Sequence, residues 1–108
     1  MKNISEISTN QLAGRPAEVV REVARLAKDI LGQDVEVFWF GSWPREQARP
    51  HSDLDVAISA GHPIPPEKMA LLRDAVGEVP TLYEVDLVDL HAVGDRLKTE
   101  ILRHGVRL

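Results

Sequence analysis

The chain has 108 residues, 44% of them hydrophobic and 28% charged, with a net charge of −4. That suits one globular domain with a real core, and the absence of cysteine excludes disulfides and thiolate zinc sites. No apolar run approaches the ~20 residues that span a bilayer, and the scattered basic residues lack the concentrated face that general nucleic-acid binding requires.

Met1–Gly14 is polar and mixed, and reads as a flexible or late-ordering start with no signal-peptide pattern, so the expected location is cytoplasmic. Pro16 suits a first helical turn and Gly32 a stop. Between them Val19, Val20, Val23, Leu26, Ala27, Ile30 and Leu31 recur at helical spacing, while Glu18, Arg21, Glu22, Arg25, Lys28 and Asp29 form a solvated face. Val35–Phe40 reads as a strand, apolar on both faces and therefore central in its sheet. Gly41 ends it. Trp43–Ala48 is expected as a short helix with Ser42 at its N-cap.

After the connector Arg49-Pro50-His51, Asp53–Ser59 reads as a second strand. Three prolines in Gly61–Pro66 force a loop. A helix follows from about Glu67 to Val76, with Met69, Leu71, Leu72 and Val76 as apolar candidates. Tyr83–Leu90 is a third strand, and Val93–His104 a last helix stopped by Gly105. Val106–Leu108 can add a short edge. The order helix, strand, strand, helix, strand, helix predicts an α/β (α+β) domain, a small mixed sheet flanked by helices, spanning residues 1–108 as a single unit.

The chemistry concentrates in Phe38–Ser59. Side chains alternate along a strand, so Asp53 and Asp55 point one way while Leu54, Val56 and Ile58 point the other. Paired carboxylates repel, and a shared proton or a bound cation is the usual remedy. The Gly41-Ser42 turn offers backbone N–H groups and a hydroxyl to a phosphate. On the third strand, alternation separates Asp86 and Val88 from Val85, Leu87 and Asp89, so only one of the two aspartates can join the site. His51 stands two residues before Asp53, and as a loop histidine it is more often merely solvated. Trp39 and Phe40 are expected in the core; Trp43 stays open as a stacking surface for a base.

Gly41-Ser42, ten residues, then Asp53-Leu54-Asp55 resembles the signature of polymerase-β-type nucleotidyltransferases, and within them the minimal nucleotidyltransferases of bacteria and archaea. Arg45 stands four residues after the glycine, Ser52-Asp53 supplies the family's Ser-Asp, and Val85-Asp86-Leu87-Val88-Asp89-Leu90 is similar to its third acidic strand. Pro44 and Glu46 depart from the small residue and glycine of the family's GSxxRG. The resemblance covers roughly Pro16 to Leu108 and implies the polymerase-β-like nucleotidyltransferase fold. It also implies Mg²⁺, or else Mn²⁺, held by Asp53, Asp55 and Asp86, with Asp86 nearest the acceptor. Gly41, Ser42, Arg45 and Ser52 would contact the nucleotide. For Arg45 a surface ion pair with Glu46 or Asp53 is nearly as good a reading.

The implied activity is transfer of AMP from ATP to a hydroxyl, and the implied setting is an antitoxin that adds AMP to a tyrosine of a HEPN-domain ribonuclease toxin. The alternative is a binding module that neutralises such a partner by complex formation with little or no catalysis. Transfer to an antibiotic is disfavoured, because enzymes of that kind carry a second domain for the drug.

Overall fold

The computed structural model describes residues 14–50 and 52–108. The expected N-terminal segment, apart from Gly14, and His51 lie outside them. Helix α1 (Gly14–Leu31) starts two residues before Pro16 and buries Val19, Val20, Val23, Ala24 and Ala27 along one stripe, the three- and four-residue spacing of a helix face. Gly32 ends it with φ 123°, a left-handed position that glycine occupies without steric cost.

Strands β1 (Glu36–Phe40) and β2 (Leu54–Ser59) pair antiparallel, with Phe40 opposite Asp55. Helix α2 (Pro66–Gly77) then crosses over to β3 (Val85–Asp89), which lies parallel to β2 in a register that sets Asp55 beside Asp86. Helix α3 (Asp95–His104) leads into β4 (Val106–Arg107), a two-residue strand antiparallel to β1. The sheet order is β3-β2-β1-β4. This is the mixed sheet with flanking helices expected from the sequence, and β1 is internal as its apolar run implied.

The two sheet faces are unequal. On one, Val35, Val37, Trp39, Leu54, Val56, Ile58 and Leu87 join the buried residues of α1 and α2 in the main core. On the other, Phe38, Ala57, Leu90 and Ile101 form a small cluster, flanked by Phe40 and Val88. Ile101 is the one buried residue of α3. Asp55 follows the second face by strand alternation, as do Asp53 and Asp86. The acids therefore sit on the thinly covered side, where solvent and ligands have access. Leu71, expected among the apolar positions of α2, is instead 59% exposed, because the buried stripe runs through Met69, Leu72 and Val76.

Residues 43–48 correct the expectation of a short helix. The chain makes one helical turn and stops: Gln47 N–H donates to the Ser42 carbonyl at 2.8 Å and Glu46 N–H to the Trp43 carbonyl at 3.1 Å. That 6→1 and 5→2 pair is a Schellman motif, and Glu46 occupies its left-handed position with φ 60°. No second turn can follow a left-handed residue. Ser42 therefore closes the turn through its carbonyl, and its hydroxyl has no hydrogen-bond partner among the described residues.

Candidate active site

Gly41 is where the site begins. Its φ of 87° is left-handed, and a Cβ built there would lie 2.2 Å from Asp55 Oδ2. The Asp55 carboxylate thus rests directly on the Gly41 backbone, and any side chain at 41 would displace it. The β1–β2 register causes this, because it brings Asp55 to the end of β1 just as the chain turns away. Glycine is required twice over, for its dihedral and for its bareness.

Asp55 is half-buried, Asp53 and Asp86 are exposed, and Asp55 carries no ion pair among the described residues. Its carboxyl is pushed up to about 6, first by burial, then by the Asp86 charge and then by that of Asp53. The second part of that rise is repulsion, so the Asp86 and Asp53 charges reach Asp55. The sequence placed Asp53 and Asp55 on one face; the parallel β2–β3 pairing adds Asp86.

Asp89 does something else. Its Oδ2 accepts the Ile64 N–H at 2.8 Å and its Oδ1 the His91 N–H at 2.9 Å. Both oxygens are spent holding the loop after β2 against the end of β3. Nearby, His91 Nε2 lies 2.9 Å from Ser59 Oγ, a further tie between the two strand ends.

The remaining predicted residues divide. Ser52 pins the connector: its hydroxyl accepts the Arg49 N–H at 2.8 Å, its own N–H donates to the Arg49 carbonyl at 3.0 Å, and its carbonyl accepts Trp43 Nε1–H at 3.1 Å. Trp43 is closed off as a stacking surface. Its ring packs against Trp39 at 6.4 Å and edge-on to Tyr83 at 5.9 Å, on the main-core side of the sheet. Arg45 pairs with neither Glu46 nor Asp53; its Nη1 donates to Glu100 Oε2 of α3 at 2.9 Å. Glu100 was missed by sequence reasoning, since nothing local connects a residue of the last helix to a turn 55 positions earlier.

Carboxylate oxygens are the donors that hard divalent cations prefer, and the charge crowded around Asp55 is what such a cation relieves. The donor set therefore fits Mg²⁺ in kind. It is not a preformed cage: among the described residues no three His, Cys, Asp or Glu side chains converge to enclose an ion. A hollow of about 350 Å³ between α2 and the start of β3 is lined by Asp86 together with Arg73, Val76, Tyr83 and Glu84.

The sequence profile described as polymerase beta, nucleotidyltransferase matches residues 21–108. The chain belongs to this family. Among solved structures, this nucleotidyltransferase domain is similar to one described as a minimal nucleotidyltransferase, with TM-score 0.59 and 27% identity over 87% of this chain and 89% of the other. It is also similar to a chain of a toxin–antitoxin structure with AMP-PNP, with TM-score 0.63 and 20% identity over 81% and 69%. A third is the complex of tri-AMPylated HEPN toxin and MNT antitoxin from Shewanella oneidensis, with TM-score 0.62 and 18% identity over 86% and 71%. At such identities the last two show a shared fold. Comparison with curated proteins gave no match. No helix among the described residues is long and apolar enough to cross a membrane.

Proposed function

We propose that this nucleotidyltransferase moves AMP from ATP onto a hydroxyl of a partner protein, a tyrosine of a HEPN-domain toxin, and so acts as its antitoxin in the cytoplasm. The observation that carries the reading is the Asp55 carboxylate seated on Gly41 and in register with Asp86. It joins the turn that can receive phosphates to the acids that can receive a cation. The structural neighbours solved with AMP-PNP and with an AMPylated HEPN toxin suggest the nucleotide and the kind of partner.

Asp53, Asp55 and Asp86 would hold Mg²⁺, which when bound neutralises charge on the triphosphate oxygens and on the departing pyrophosphate. The chain's own groups do the rest. Backbone N–H groups and the free Ser42 hydroxyl at the Gly41-Ser42 turn bind phosphate oxygens, and Arg45 offers a forked cation to the same end of the nucleotide. Asp86, exposed on the acidic face of the sheet, takes the proton from the acceptor hydroxyl. The acceptor oxygen forms a bond to the α-phosphorus, the bond from that phosphorus to the bridging oxygen breaks, and pyrophosphate leaves.

The test is intact-mass spectrometry of a HEPN partner incubated with the protein, Mg²⁺ and ATP. One or more AMP increments, absent with Asp53→Asn/Asp55→Asn, are expected. A second reading, neutralisation by binding alone, draws on the acids' failure to converge as a ready metal cage. A stable complex with no mass gain, equally inhibitory with the double variant, would establish it.

A further inference from the structure

We propose that Glu100 of α3 is a positioning residue for nucleotide binding, acting through Arg45; the proposal rests on the nucleotidyltransferase reading of this site. The contact is one bond, Arg45 Nη1 to Glu100 Oε2 at 2.9 Å, between side chains that are 44% and 46% exposed. Pairs this exposed add little to stability. What the pair does fix is direction. The Schellman turn ends at Glu46, so the Arg45 backbone is set, but its long side chain would otherwise sample many rotamers.

Glu100 is itself well placed. It immediately precedes Ile101, the fully buried residue that anchors α3 over Phe38 and Ala57 on the acidic face of the sheet. The anchor sets the helix rotation, and the rotation aims Glu100 at the turn after Gly41. Among the described residues only Nη1 is engaged, which leaves the Nη2 and Nε donors of Arg45 for phosphate oxygens. Arg96 and Arg103, four residues before and three after Glu100, share its side of α3 by helical spacing. The charged residues on the helix side that holds Arg45 are therefore basic apart from Glu100.

Those neighbours make the proposal sharp, because electrostatics alone predicts the opposite. If Glu100 were merely a negative charge among cations, removing it would tighten binding of an anionic triphosphate. As a positioning residue, its removal loosens binding.

The experiment measures ATP binding to the full chain by calorimetry with Mg²⁺, and steady-state transfer to a HEPN partner. Glu100→Ala should raise the ATP Kd and KM by about three- to tenfold, leave kcat within about twofold, and leave the melting temperature unchanged. Glu100→Gln, which retains an acceptor oxygen, should recover most of the loss. In an Arg45→Ala background Glu100→Ala should have no further effect. Unchanged or tighter ATP binding by Glu100→Ala, or an equal loss in the Arg45→Ala background, overturns the positioning role. Failure of the wild type to bind ATP at all would instead overturn the nucleotidyltransferase reading, and the two failures are distinct.

Discussion

Asp55→Asn should stabilise the metal-free protein at neutral pH and not at acid pH. The Asp55 carboxyl stands at about 6 in the folded chain against 3.8 ordinarily, raised by burial, by Asp86 and by Asp53. A carboxyl whose folded pKa is raised binds its proton more tightly in the native state. Its contribution is therefore most favourable below about pH 4, declines as pH climbs to about 6, and is a constant penalty above that. Two pKa units correspond to about 3 kcal/mol. Asp55 is only half-buried, and solvent screening reduces this to about 1–2 kcal/mol. Asparagine has nearly the same shape, so it keeps the seat on Gly41 and removes the charge.

For a domain of this size about 1–2 kcal/mol is a rise in Tm of roughly 4–8 °C. Circular-dichroism melts in EDTA at pH 7.5 and pH 4.5 provide the assay. The variant should melt higher at pH 7.5. The gap should shrink at pH 4.5, where the native wild type is protonated but the unfolded chain is still largely ionised, and close only below about pH 4. A gain of equal size at both pH values, or none at pH 7.5, would refute the argument that charge crowding at Asp55 strains the fold.

Other substitutions probe the neighbouring features. Gly41→Ala must adopt a left-handed dihedral, at about 1–2 kcal/mol, and also push Asp55 aside; in chemical denaturation Gly41→Ala/Asp55→Ala should recover the second part of the loss only. Glu46→Gly should gain about 0.5–1 kcal/mol, the relief of left-handed strain less the added freedom of the unfolded chain, read as a higher denaturation midpoint. Ile101→Ala should cost about 3 kcal/mol and expose residues 95–104 to hydrogen exchange before the rest, since no other residue of α3 is buried. Asp86→Asn should abolish AMP transfer with no loss of stability, whereas Asp89→Asn should retain transfer but lose about 1–2 kcal/mol by leaving one backbone N–H without its acceptor.

What could be read in the sequence was whatever a local period encodes, together with the fold and the expectation of Asp86 as third carboxylate that the family resemblance carried. A continuous apolar run located β1, and strand patterns located β2 and β3 to within a residue or two; alternation put Asp53 and Asp55 on one face. Helical spacing located α1, and proline and glycine bounded α2. The register that sets Asp55 beside Asp86 was beyond local patterns, because it depends on how β3 pairs after the α2 crossover. The fate of the turn after Gly41 was also hidden. Ser-Trp-Pro-Arg-Glu has the composition of a helix start, and only the left-handed dihedral at Glu46 shows that it ends after one turn. Trp43 carries no periodicity to choose its side. Tyr83 and Ser52, which choose it, come from other parts of the chain.

Glu46 connects these failures. The family pattern has glycine where this chain has Glu46, and read from the sequence this is a departure in side chain and charge. The structure gives the difference a conformational meaning instead: a glycine would adopt the dihedral that Glu46 is held in at some cost. The turn keeps its shape because two backbone hydrogen bonds close it from either side. Asp55 is raised first by burial and then by the carboxylates of Asp86 and Asp53. Arg45, the cation beside this turn, is paired with Glu100 and so leaves that acidic charge uncompensated. A fold selected for stability alone would put a neutral side chain at one of the three positions. That all three remain acidic, above a glycine that admits nothing else, is the physical argument for a cationic ligand at this edge of the sheet.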